Sequence, residues 1–237
     1  MPHWQTLDAR LSVFVAPDTV VPDSLYRDAV GEEPENTAIQ RLISTRVESG
    51  PFADGALDLQ IQPFRIDWNY HLAGVPSSPF LGSFPPAAEP LLSLSRRWVA
   101  STWFPSANRL ALAFTLLSRT DNRESGYREL NEFVDGVPTA PDATDFLYQL
   151  NRPRPSGIGF EGMSINRLSR WSVAGQRLVT VTPATSHASD MQLYLRLELD
   201  INTSAEFQGV IPRERIDSVI ADLFTGAREV SERGTRF

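Results

Sequence analysis

Apolar and polar residues alternate most cleanly where Met191, Leu193, Leu195, Leu197, Leu199 and Ile201 take every second position against Gln192, Tyr194, Arg196, Glu198 and Asp200. A period of two predicts a strand with one face in a core and the other wet. The same period runs through Leu7, Ala9, Leu11, Val13 and Val15, predicting a first strand. Ile43, Thr45 and Val47, then Leu57, Leu59 and Ile61, flank the turn-rich Gly50–Gly55 and predict a hairpin. Pro63 separates it from a strand whose apolar side is Phe64, Ile66, Trp68 and Tyr70. Leu110–Leu117 is apolar at both parities, as in a central strand covered on both sides. Phe146–Leu150 has strand character, and Ile165–Val173 with Gln176–Thr182 reads as a hairpin about Ala174-Gly175, bulged between Ile165 and Leu168.

Helical spacing appears in four places. Asp23–Val30 starts a short helix, Leu91, Leu94, Trp98 and Val99 mark one over 87–102 with Pro90 in its first turn, and Tyr127, Leu130 and Val134 mark one over 125–134. Ile216, Val219, Ile220, Leu223, Phe224, Ala227 and Val230 follow i, i+3, i+4, i+7 spacing and predict a long C-terminal helix begun near Pro212. Strands grouped in hairpins and interrupted by helices predict the α+β class: a mixed or mostly antiparallel sheet of about seven or eight strands with about three or four packed helices. Residues 1–237 read as a single domain; the Pro/Gly/Ser-rich connection 72–90 is where two subdomains would divide. The residues show no convincing internal repeat.

Composition narrows the chemistry. Hydrophobic residues at 41% and charged residues at 22% are ordinary for a globular chain. No run has the ~18 apolar residues of a membrane span, and Asp8 and Arg10 interrupt any signal-peptide core, so the expected location is cytoplasmic with no membrane. The absence of cysteine excludes thiolate nucleophiles, disulfides and Cys-based metal sites. No lysine occurs, which removes Schiff bases and the P-loop lysine, and all 22 basic residues are arginine. A net charge of −7 argues against nucleic acid as a partner.

Gly157-Ile158-Gly159-Phe160-Glu161-Gly162 matches G-x-G-x-x-G literally. Its context is wrong for a dinucleotide loop, because a proline-stiffened segment precedes it and a strand follows. His71 shares a strand face with Asp67 and Asn69, and His187 lies in a polar loop; both read as ordinary histidines. Glu198 and Asp200 share a face with Arg196 and Tyr194, which reads as a solvated or subunit-facing surface with internal pairing. No catalytic residue, metal site or cofactor is predicted.

Four of the eight asparagines precede arginine: Asn108-Arg109, Asn122-Arg123, Asn151-Arg152 and Asn166-Arg167. Two of these pairs carry further arginines, giving the candidate binding residues Asn151, Arg152, Arg154, Asn166, Arg167, Arg170 and Trp171. Guanidinium forks bind carboxylates or phosphates bidentately and stack on indoles. The competing expectation is internal pairing with Asp142, Asp145 or Glu161, locking the loop.

Asp145–Arg154 followed by Ile165–Ser172, together with Leu59–Trp68 and the final strand and helix, resembles a sporadically distributed group of bacterial hypothetical proteins of about this length. The resemblance implies a bacterial origin and brings no activity with it. The expected function is a non-enzymatic protein-binding or assembly subunit of a bacterial cytoplasmic complex, with a protein partner or self-association. The alternatives are an enzyme or ligand-binding protein acting on a phosphorylated or nucleotide ligand through the arginine-rich site, and a nucleic-acid-associated protein. Trp68, Trp98, Trp103 and Trp171 are either contact residues or core.

Overall fold

A computed structural model describes residues 3–73, 79–136, 144–158, 161–176, 179–181, 186–188 and 190–236. The strands are β1 (Gln5–Val15), β2 (Asn36–Gln40), β3 (Thr45–Phe52), β4 (Gly55–Gln62), β5 (Arg65–His71), β6 (Gly82–Ser83), β7 (Ala107–Thr120), β8 (Leu147–Asn151), β9 (Arg154–Pro155), β10 (Ser164–Gln176), β11 (Val179–Val181), β12 (Ser186–Ala188) and β13 (Gln192–Thr203). The helices are α1 (Leu25–Val30), α2 (Glu89–Ala100), α3 (Arg123–Asn131) and α4 (Ile216–Arg233). One antiparallel sheet runs β2-β3-β4-β5-β1-β7-β13-β10-β8, with β6 on β1 and β9 on β10; β11 and β12 form a separate ribbon. The α+β class and the long C-terminal helix are as the periodicity predicts. No helix among the described residues is long and apolar enough to cross a membrane.

The four helices lie on one face of the sheet. Leu11 and Val13 of β1, Leu57 and Leu59 of β4, Ile66 and Trp68 of β5, Leu110, Leu112 and Phe114 of β7, and Leu195, Leu197 and Ile201 of β13 bury against them. The helices contribute Leu25 and Tyr26, Leu91, Leu94 and Trp98, Tyr127 and Leu130, and Val219, Leu223, Ala227 and Val230. Burial of this apolar area supplies the main folding drive, at about 25 cal/mol per Å². Trp68, Trp98 and Trp171 are fully buried, so they are core residues.

The order of connections repeats although the residues do not. With β2, β6, β9, β11 and β12 set aside, a long strand, a helix, three strands and a helix (β1, α1, β3, β4, β5, α2) recur as β7, α3, β8, β10, β13, α4. Within each set the spatial order is the same, β3-β4-β5-β1 mirrored by β8-β10-β13-β7, and the two meet where β1 pairs with β7.

Four expectations need correction. β10 does not turn back at Ala174-Gly175; it runs on to Gln176 in regular register with β13 from Ile165↔Thr203 to Gln176↔Gln192, without a bulge. Arg167 takes a core-facing position between Ile165 and Ser169, which is why the apolar parity looked broken. In β3 the residues opposite Leu57, Leu59 and Ile61 are Gly50, Glu48 and Arg46, so Val47 lies on the face away from the helices. Glu48 is buried beside Arg46 at 3.4 Å, and burial raises its carboxyl above the ordinary value. In β1 the alternation shifts between Thr6 and Asp8, so Trp4 and Thr6 enter the core in place of Leu7. β7 is central as predicted, but its second face is covered only in part: Leu117 and Ala111 are buried while Ala113 and Thr115 are half-exposed.

Trp171 is the keystone of the second half. Its ring stacks on Phe133 at 5.4 Å and meets the edge of Trp4 at 6.1 Å, and its Nε1 donates to Ser169 Oγ. Trp171→Ala is expected to cost about 3–5 kcal/mol in chemical denaturation, as large-to-small core changes do.

Candidate functional site

The face of the sheet turned away from the helices is polar, and its residues fall into rows because antiparallel registers align. One row is His71, Asp8, Thr115, Glu198, Arg170 and Gln149, read from β5 through β1, β7, β13 and β10 to β8. The adjacent row is Asp58, Asn69, Arg10, Ala113, Asp200, Leu168 and Asn151. Where the rows cross the middle strands they line a groove of about 470 Å³. Its floor is Ala113 and Thr115, whose small side chains leave room between the longer groups on either side.

Most charges in the groove hold one another. His71 Nε2 is 3.0 Å from Asp58 Oδ2 and its Nδ1 is 2.8 Å from the Leu72 carbonyl, so acceptors occupy both ring nitrogens. Glu198 takes Arg170 at 3.1 Å and Arg196 at 2.5 Å. Thr115 Oγ1 donates to Asp8 at 3.2 Å. Burial nevertheless raises the Asp8 carboxyl above its ordinary 3.8, with Thr115, Arg196 and Arg10 opposing the shift. Asp8, Arg10 and Asp200 differ from the rest. Among the described residues none of the three has an ion-pair partner; the Arg10 charge acts on nearby Asp8, and Arg10 and Asp200 flank Ala113 in one row. Among those residues Arg10 Nε is buried with no hydrogen-bond partner and Asp200 Oδ1 accepts only from Asn202.

The arginine-rich residues do not converge on this groove as a set. Successive residues of a strand point to opposite faces, so Asn166 and Arg167 part company. Arg167 turns under α4, donating to Glu229 at 3.1 Å and to the Arg152 carbonyl at 3.0 Å, and burial lowers its proton affinity. Arg154 donates to Asp222 Oδ1 at 2.7 Å, and Arg152 donates to the Thr235 carbonyl at 2.6 Å. Trp171 is core. On the open face, Asn151 donates to Asn166 at 3.1 Å, Asn166 to Asn202 at 3.0 Å and Asn202 to Asp200 at 2.8 Å, forming an amide chain that ends at the groove. Arg170 is the only one of the seven that lines it.

The partners of these arginines also differ from the expected ones. Asp222 and Glu229 come from α4, about 60 residues beyond the loop, where helical spacing sets them one above the other. Asp222 is nearly buried and also accepts from Ser156 Oγ at 3.1 Å and the Gly157 N–H at 2.9 Å. The first glycine of the G-x-G-x-x-G match therefore spends its N–H on a carboxylate of the same chain; Gly159 and Phe160 lie outside the described residues. His187 lies on β12 rather than in a loop. The described residues contain no group of three or more carboxylates and histidines able to hold a metal ion.

Sequence reasoning missed Asp8, Arg10 and Ala113 as site residues. Their signal was the polar parity of the first strand and the small residues of the central one. What joins them is the β1–β7 register, which local pattern does not reveal.

Two outcomes follow. Asp222→Ala strands Arg154 and two further donors and is expected to cost about 2–4 kcal/mol in denaturant unfolding, against less than about 1 kcal/mol for exposed Arg170→Ala. Because the folded Asp8 carboxyl binds its proton more tightly than the unfolded one, its contribution to stability is full below 3.8 and falls as pH rises through the raised value. Asp8→Asn is expected to melt above the parent at pH 7 and to converge with it in acid, measured by thermal melts across pH. Compared with family models, curated proteins and solved structures, the chain matches none, so the residues themselves must carry the functional reading.

Proposed function

We propose that this chain is a non-enzymatic binding subunit of a bacterial cytoplasmic complex, and that the open face of its sheet receives a partner segment carrying both signs of charge. The observation behind this reading is the pair Arg10 and Asp200, opposite charges without ion-pair partners among the described residues, on either side of Ala113 in a groove of about 470 Å³. Paired strands lie about 4.8 Å apart, so the two side chains start about 10 Å apart across the floor. That spacing suits a carboxylate and an ammonium or guanidinium on neighbouring residues of a bound chain, each forming a charge-assisted hydrogen bond.

Mixed sign also separates the competing ideas. A polyphosphate or nucleic-acid backbone would meet Glu198 and Asp200 as well as the arginines. A nucleotide clamp built on Arg152, Arg154 and Arg167 loses its donors to Asp222, Glu229 and the Thr235 carbonyl. His71, with both ring nitrogens occupied, favours holding a surface over moving protons.

Cross-linking mass spectrometry of the native complex, purified from its host, tests the reading. Cross-links from a partner are expected on the Asp8–Arg10, Glu198–Asp200 face, and Arg10→Asp or Asp200→Arg should weaken association by at least about tenfold with little change in melting temperature. Cross-links confined to the helix face, or full binding by both variants, would overturn it.

A further inference from the structure

We infer that β2 is a self-association edge, at which a second copy of this chain pairs antiparallel with the first and continues the sheet. All five residues of β2 are exposed, and among the described residues its only strand partner is β3. Protein edges are normally blunted by charge, proline or a bulge. Asn36-Thr37-Ala38-Ile39-Gln40 has no charge and no proline, and it pairs with β3 in unbroken register.

The flanks of β2 indicate which partner fits. Glu35 precedes it and Arg41 follows it; both are exposed, and among the described residues neither has an ion-pair partner. In an antiparallel pair of copies centred on Ala38, Asn36 stands opposite Gln40, and Glu35, just before the strand in each copy, comes to the end where Arg41 of the other opens a 3-10 turn. The strand is therefore complementary to itself in that direction, whereas parallel pairing would set like beside like. A two-fold contact requires this self-complementarity, since the same patch must serve both sides.

Apolar surface lies at the same end. Ile39, Leu42 and Ile43 are exposed at 66%, 98% and 57%, and Val20 and Phe64 are also bare. Ile39 borders a groove of about 410 Å³ with Val21, Ile61 and Pro63. Pairing of β2 with its copy would bring Thr37 of one chain over Ile39 of the other and cover the mouth of this groove. Main-chain hydrogen bonds give such an edge its affinity, and cross-strand pairs set the register. The surface is separate from the polar groove, so either can fail without the other.

Sedimentation equilibrium of the whole chain tests the inference. The weight-average mass should rise from 26.4 kDa toward twice that value between about 1 and about 100 μM, with amide exchange at 36–40 slowing over the same range. Arg41→Glu should weaken association about tenfold, because two attractions become repulsions, and Glu35→Arg combined with Arg41→Glu should restore it. Both sites are exposed, so folding is not at stake, and unchanged melting temperature confirms it. A chain that stays at 26.4 kDa throughout, a charge swap no better than the single variant, or a dimer whose 36–40 amides exchange as fast as the monomer's would each refute the edge.

Discussion

The antiparallel contact between β1 and β7 joins two strand sets that would otherwise each end in a bare edge. Its central pairs, Ala9 with Phe114, Leu11 with Leu112 and Val13 with Leu110, face the helices, and on either side of them β5 and β13 extend the sheet. Because all four helices lie over one face, hydrophobic burial is drawn to that face and the other is left to polar residues. A small floor at Ala113 and Thr115, with longer charged groups on both sides, follows from that asymmetry at the point where the two sets meet.

The charged residues that are buried as a whole among those described, Glu48, Asp67, Arg167 and Asp222, each meet an opposite charge. Arg154 and Arg167 lie between the sheet and α4, where Asp222 and Glu229 meet them. A buried ion pair of this kind adds little net stability compared with a well-packed apolar substitute, but losing one member is costly. It therefore fixes the position of β9 and the residues around it relative to α4. Among the described residues Arg10 and Asp200 on the far face have no ion-pair partner, and that contrast separates arginines that hold the fold from one that faces outward.

What the sequence revealed tracks how local each signal is. β13 and α4 were legible because a single buried face imposes a clean period of two or 3.6. β10 was misread because Arg167 occupies a core-facing position, and a hydrophobicity pattern cannot see the Glu229 that makes the position tolerable. β3 failed similarly, since Arg46, Glu48 and Gly50 form its helix-facing side. β2 has no buried side and left no trace in the pattern. The polar face of β13 was recognised, but its continuation through Thr115 and Asp8 to His71 depends on registers between strands up to about 100 residues apart, which residue order alone does not encode.

The repeated order of connections also bears on how the chain is made. Once His71 has left the ribosome every pairing partner within β3, β4, β5 and β1 has been made, yet the inner edge of β1 must wait for Thr120 before β7 can cover it. At synthesis rates of ~5–20 residues per second that interval lasts some 2–10 s, during which the nascent half exposes two open edges. The seam is thus a translational delay written into the topology, and slowing the ribosome within residues 72–120 would lengthen the time in which neighbouring nascent chains can pair with each other instead of with their own second half.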